Sequence, residues 1–275
     1  MRRILFRTLL ALFYYVSAKH RLITLHNLFR AFPDKSISEV INIAKSTYRH
    51  IGDMAAEFFE IPYMNRTNLH EYVEFEGLEH LEQALDQKKG VLSIVAHFGN
   101  WEMMTAALPL AAHPMEIIYR PLDSVILENL TTWVRTFHGN AMIAKDGAAR
   151  KILRGLAKNK IIGILVDQNV ATREGIFINF FNRPACTATG LAGLALYTDA
   201  PVLPAFMIRM ENGRYKFLLQ PMVETIKTGN NEKDIFLNTQ NYANIIENII
   251  RKYPDQYFWL HQRWKTQECQ KKIRK

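Results

Sequence analysis

Val91-Leu92-Ser93-Ile94-Val95-Ala96-His97-Phe98-Gly99-Asn100-Trp101-Glu102 is the stretch on which the reading of this 275-residue chain turns. Val91–Ala96 is a short, nearly continuous apolar run, the pattern of a strand buried on both faces. His97 stands where that strand stops. Gly99 permits a sharp turn, and Asn100 suits a helix N-cap. Glu102 then falls in the first helical turn, where the helix N-terminus stabilises a carboxylate. Open α/β sheets build their ligand sites in this way, beyond the carboxyl ends of strands.

The same alternation extends outward. C-terminal to this segment, strands are expected at Met115–Tyr119, Ala141–Ala144, Ile161–Val166, Val202–Met207 and Tyr215–Gln220, with Gly175–Phe181 extended. Helices are expected at Trp101–Ala112, Asp123–His138, Ala148–Asn159, Thr187–Asp199 and Asn231–Lys252. Before it lie a strand at Tyr72–Glu76 and a helix from Leu78 to Lys89, closed by Gly90. Strands alternating with helices predict an α/β fold with a central, mostly parallel sheet flanked by helices. Residues 1–70 read as a helical region, and 71–275 as the α/β domain, continuous with it. Within the first part, Ser36 and Glu39 form a capping box that opens a long amphipathic helix ending before Pro62.

Bulk properties narrow the class. Nearly half the residues are apolar, so the chain is globular. Cys186 and Cys269 are too few for a disulfide framework, and no Cys/His cluster has zinc-ligand spacing. No metal or cofactor is called for. A formal charge of +9 favours acidic partners such as anionic headgroups, phosphorylated substrates or acidic carrier proteins. No nucleic-acid-binding motif accompanies that charge. At the N-terminus, the apolar run Ile4–Val16 is too short to span a bilayer and lacks a small-residue cleavage site. With Arg2, Arg3, Arg7, Lys19 and Arg21 it suits a helix lying in the membrane interface; a helix packed into a soluble core is the alternative.

A histidine held by a carboxylate is the general-base half of acyl-transfer chemistry. On this pattern Glu102 orients His97 and stabilises the imidazolium that forms. No serine or cysteine nucleophile is placed by a recognisable motif, so the base would activate a substrate hydroxyl directly. N–H groups of the helix N-terminus could meet a developing oxyanion. A lone strand-end His beside an ordinary acidic residue would be merely structural; the ordered string on a strand–turn–helix argues for function.

His97-Phe98-Gly99-Asn100-Trp101-Glu102 resembles the His-x4-Asp/Glu motif of the lysophospholipid acyltransferase superfamily, in the form typical of its bacterial lipid A (lauroyl/myristoyl) acyltransferase branch. Further blocks are similar: Asn27-Leu28 with Ala31-Phe32-Pro33, Glu76–Leu81, Tyr119-Arg120-Pro121, Asp167-Gln168, Phe180–Ala185, Pro201–Pro204 and Pro254–Thr266. The similarity covers roughly residues 25 to 266.

The resemblance implies transfer of a fatty acyl chain from acyl-carrier protein or acyl-CoA to a hydroxyl of a lipid A precursor or related glycolipid. It would take place at the cytoplasmic face of the bacterial inner membrane, with the N-terminal helix as the monotopic or peripheral contact. His97 would be the base and Glu102 its partner. Arg120 would bind a phosphate or acidic sugar, or else form a structural salt bridge to Asp167. Asp167 and Gln168, on the rim with His97, would hold a sugar hydroxyl or orient Arg120, and Asn100 joins the substrate-binding set. Arg183 and Thr187 flank the expected start of the 187–199 helix, where anions are held well, though a surface Arg and an N-cap would look the same. Many relatives read Asp-Gln-Asp or Asp-His-Asp where this chain has Asp167-Gln168-Asn169, which widens the implied acceptor to glycolipids beyond lipid A. Candidate carrier-docking residues are Arg150, Lys151, Arg154, Lys158 and Lys160. The competing enzyme class is an acyl-thioester hydrolase, with water in place of the acceptor.

Overall fold

The buried apolar runs become the middle of a seven-stranded sheet in the computed structural model, which describes residues 1–267. The strands are β1 (Val73–Glu76), β2 (Val91–Val95), β3 (Met115–Tyr119), β4 (Ala141–Ala144), β5 (Ile161–Leu165), β6 (Gly175–Phe180), β7 (Arg183–Ala188), β8 (Val202–Arg209) and β9 (Tyr215–Leu219). Sheet order is β1-β9-β8-β2-β5-β3-β4, with β6 and β7 forming a separate ribbon. β2 pairs in parallel with β5 and β8, and β3 with β5 and β4. β8 and β9 are antiparallel, so β9 and its parallel partner β1 run against the rest. The sheet is thus mostly parallel, and the fold is α/β.

Ten helices are described: α1 (Arg2–Val16), α2 (Ala18–Ala31), α3 (Ile37–Phe58), α4 (Leu69–Tyr72), α5 (Leu78–Leu85), α6 (Met104–Ala111), α7 (Val125–Thr136), α8 (Ala149–Ala157), α9 (Gly190–Thr198) and α10 (Asn231–Lys252). The Ser36–Glu39 capping box forms at the start of α3. All five residues of β2 are buried. Its side chains alternate between two cores: Leu92 and Ile94 join Tyr14, Leu28, Val40 and the α9–α10 face, while Val91 and Val95 join Leu81, Met104 and Leu108. That two-sided burial is why the strand reads as a continuous apolar run.

The expected helix 187–199 starts later. Residues Arg183–Ala188 are strand β7, and α9 begins at Gly190. The β6–β7 hairpin closes on Phe181 and Asn182, whose φ values of 53° and 56° are those of a type I′ turn. Phe is a rare residue in this left-handed region, which hides the turn from sequence. Phe181 is held there by burial against Phe32, Phe180 and Trp259, with the Arg251 guanidinium over its ring.

A buried polar knot ties α3 to the strand ends. The fully buried Glu57 accepts from Asn100 Nδ2 at 2.9 Å, from Arg209 Nη1 at 2.7 Å and from the Tyr215 hydroxyl. Burial pushes the Glu57 carboxyl above its usual range, and Arg209 opposes that shift.

Candidate active site

His97 lies two residues beyond the end of β2, and Asp167 two residues beyond the end of β5. Val95 and Leu165 are register partners in this parallel pair, so the two side chains emerge next to each other. His97 Nδ1 is 2.9 Å from Asp167 Oδ1. A buried carboxylate only accepts, so Nδ1 carries the proton and Nε2 keeps its lone pair. Burial favours the protonated Asp167 carboxyl, but attraction to His97 and hydrogen bonds from it outweigh that, holding the group below the usual carboxylate range. The imidazole packs against both Trp101 and Phe258, with ring centroids 5.2 and 6.3 Å away, and those two rings touch each other at 5.9 Å. Gln168 Nε2 lies 3.2 Å from His97 Nε2, placed to donate to it. An incoming hydroxyl would take over that position.

The His-x4-Glu spacing predicts a His97–Glu102 contact, and here the structure departs from it. The carboxylate on His97 is Asp167. Glu102 instead accepts two parallel bonds from Arg135, at 2.8 and 2.6 Å, and one from Trp101 Nε1 at 3.0 Å. The physical reason is the turn. Gly99 adopts φ +58°, and a Cβ there would lie 1.6 Å from the Met207 carbonyl oxygen. The turn after β2 is therefore pressed against β8, and Glu102 reaches the forked guanidinium on α7.

Other expected site residues fall in different places. Asn100 is fully buried, with Nδ2 on Glu57 and Oδ1 accepting from Met103 N–H at 3.1 Å, so it fixes the turn and cannot face a substrate. The N–H groups of Gly99 and Asn100 donate to the Gln256 and Met207 carbonyls. With Met103 also engaged, these three are closed to an oxyanion. Arg120 is exposed just beyond β3 and makes no ion pair among the described residues, so the expected alternative bridge to Asp167 does not form. Arg183 sits at the β6–β7 turn, remote in the ribbon from the Gly175 end, and donates to the Arg30 carbonyl. Thr187 is buried near the end of the ribbon's return strand, opposite Ile176, and accepts from Arg263. Neither flanks a helix start. Cys186 is buried with its thiol pushed up by desolvation, as a packing residue would be; Cys269 lies outside the described residues. Lys160 pairs with Glu116.

Two histidines behind the site make folding pH-sensitive. His50 donates Nε2–H to the Gly99 carbonyl at 3.1 Å, and burial lowers its pKa to about 4. His261 Nε2 accepts the Asn169 N–H at 2.9 Å, and burial lowers it to about 4 as well. Between about 4 and 6.5 the unfolded chain binds more protons at these positions than the native one. Stability present at neutral pH is therefore lost as pH falls through that window. For His50 alone the loss approaches about 3 kcal/mol near the bottom. Urea unfolding of wild type at pH 7 and 4.5 should show this drop, and His50→Gln should reduce it. An equal drop in the variant would remove His50 as its source.

Residues 1–266 match the family model described as bacterial lipid A biosynthesis acyltransferase. The chain belongs to that family, and it is an acyltransferase moving groups other than aminoacyl groups. Among curated relatives, it is 27% identical over 242 residues to the lipid A biosynthesis palmitoleoyltransferase of Escherichia coli, covering 87% of this chain and 77% of that protein. It is 25% identical over 243 residues to the lipid A biosynthesis lauroyltransferase of the same organism, with the same coverage. It is also 25% identical over 212 residues to the phosphatidylinositol mannoside acyltransferase of Mycolicibacterium smegmatis, covering 76% of this chain and 67% of that protein.

Proposed function

We propose that this protein transfers a fatty acyl chain from acyl-carrier protein or acyl-CoA to a hydroxyl of a lipid A precursor or related membrane glycolipid. The observation that carries the mechanism is the His97–Asp167 pair, 2.9 Å apart at the carboxyl ends of adjacent parallel strands. His97 Nε2 takes the proton of the acceptor hydroxyl as that oxygen attacks the thioester carbonyl. A tetrahedral intermediate forms, and its collapse breaks the C–S bond. The departing thiolate takes the proton back from the imidazolium, so the enzyme ends as it began. Asp167 holds the imidazole with Nδ1 protonated and stabilises the imidazolium between the two transfers. Glu102, through Arg135, fixes the turn that carries His97 and Trp101.

Membership of the family and the names of its relatives support the glycolipid acceptor. No helix among the described residues is long and apolar enough to cross a membrane. α1 exposes Ile4, Leu5, Leu9 and Leu12, which suits a peripheral or monotopic seat on the cytoplasmic face of an inner membrane. Arg120, exposed beyond β3 and without an ion-pair partner among the described residues, suits an anionic group of either substrate, and the net positive charge suits an acidic carrier protein.

The test is a mass-spectrometric transfer assay. It supplies carrier protein loaded with several chain lengths, a lipid A precursor and a bacterial lipid extract. One acyl group gained by a glycolipid is the expected product. Free fatty acid with no acylated lipid would instead show a thioester hydrolase.

A further inference from the structure

α7 is packed along one side only, through Val134, the half-buried Leu130 and Arg135. Of its twelve residues only Val134 is buried. Ile126 and Trp133 on the helix and Phe137 just after it project at i, i+7 and i+11, the spacing of a single helix face, and they are 80%, 53% and 49% exposed. Leu122, Val125 and Leu127 extend the patch at its N-terminal end and are also exposed. Glu128, Thr132 and Arg135 lie on the opposite side, where Glu128 bonds Leu122 N and Thr132, and Arg135 bonds Glu102. Val134 and Leu130 anchor one edge of the apolar face to the core, and the folded chain leaves the rest of it, Ile126, Trp133 and Phe137, uncovered.

A chain of side-chain contacts connects that face to α1. His138, stacked edge-on to Phe137, has Nε2 2.9 Å from the Ile61 carbonyl in the short 3-10 turn Ile61–Tyr63. That turn carries the exposed Tyr63 and follows the exposed Phe59. Phe59 stacks on Phe6 of α1, with centroids 5.9 Å apart. A belt thus runs from Ile4, Leu5 and Leu9 through Phe59 and Tyr63 to Trp133 and Ile126. Arg2, Arg3, Arg66 and Arg120 fringe it, and Arg66 and Arg120 have no acidic partner among the described residues. Asp123 and Glu60 are the acids at its margin, and Glu60 is paired with Arg2.

We infer that α7 is a second membrane-binding helix, seated with α1 in the interface of an anionic bilayer. The proposal rests on the glycolipid acceptor proposed above, because an apolar belt fringed by arginines matches acyl chains beneath anionic headgroups. The Glu102–Arg135 fork gives the placement a consequence. It joins α7 to the turn bearing Trp101, whose ring packs on His97. The helix lying in the lipid and the catalytic histidine are therefore held by one bridge, which sets the depth of the cleft relative to the membrane surface.

The experiment measures co-sedimentation of the full chain with vesicles of phosphatidylethanolamine and phosphatidylglycerol at 3:1, against pure phosphatidylcholine. It needs no turnover, so its failure is distinct from failure of the proposed activity. The double variant Ile126→Asp/Trp133→Asp should bind the anionic vesicles at least about tenfold more weakly than wild type, since two apolar side chains no longer enter the lipid. Acylation of detergent-dispersed acceptor should persist, which shows that the variant folds. Independently, vesicles with brominated acyl chains should quench wild-type tryptophan emission more than that of Trp133→Phe. Equal binding, or equal quenching, would overturn the proposal. So would a wild-type dimer by light scattering that the double variant abolishes, because a second copy would then cover the face.

Discussion

Replacing His97 by Ala should lower kcat/KM for acyl transfer by about 10³-fold, with an expected range of roughly 10² to 10⁴ for loss of a general base. The acceptor hydroxyl then keeps its proton during attack on the thioester, and no group returns a proton to the departing thiolate. His97 is partly exposed and its ring makes no hydrogen bond that supports the core other than the one to Asp167. That bond pairs the buried Asp167 carboxylate, so its loss should lower stability by roughly 1–3 kcal/mol, and the activities are compared below the lowered melting temperature. The same variant in the mass-spectrometric assay should give neither acylated glycolipid nor free fatty acid above the no-enzyme level. Retention of even a tenth of wild-type transfer would mean that another group takes the proton.

Asp167→Asn should cost about 10² to 10⁴ in kcat, the amount expected when the orienting carboxylate of a general-base histidine becomes an amide. The amide can no longer balance the imidazolium, and its N–H can hold the ring in the wrong tautomer. KM should be nearly unchanged, since Asp167 is buried behind the ring. Glu102→Gln separates the two carboxylates named above. It leaves Arg135, which is 20% exposed, without its charged partner, so roughly 2–3 kcal/mol of stability should be lost. Below its lowered melting temperature, however, the folded enzyme should keep at least about tenfold more activity than Asp167→Asn, because His97 retains its own carboxylate. If Glu102→Gln proved the more damaging to kcat in folded protein, the assignment of Asp167 as orienter would be wrong.

Those two variants also mark where sequence stops being legible. The spacing from His97 to Glu102 is a local fact, and it draws attention to the nearest acid. The pairing that forms is seventy residues apart in sequence and depends on β2 lying beside β5 with Val95 opposite Leu165. Nothing local encodes that register. The one available signal is that both buried strands end two residues before a titratable side chain, at His97 and Asp167. Arg135 left a weaker trace: it is a helical arginine with no distinguishing neighbour, and only the packing of α7 over the catalytic turn brings it to Glu102.

The sequence by itself determined the alternation of strands and helices, the buried character of β2, the capping box at Ser36 and the placement of His97 just beyond a buried strand. These follow from hydrophobic period, capping chemistry and turn residues acting over a few neighbours. Tertiary structure alone decided which acid serves His97, that Asn100 is buried in a knot with Glu57 and Tyr215, and that Arg183 and Thr187 belong to a hairpin rather than to a helix start. It also decided that the apolar residues of α7 remain outside. Each of these depends on partners distant in the chain, and a side chain's role is set by the partner it meets. Phe181 shows the limit most plainly: its left-handed turn is disfavoured locally, and it exists because Phe32, Trp259 and Arg251 pack around the ring.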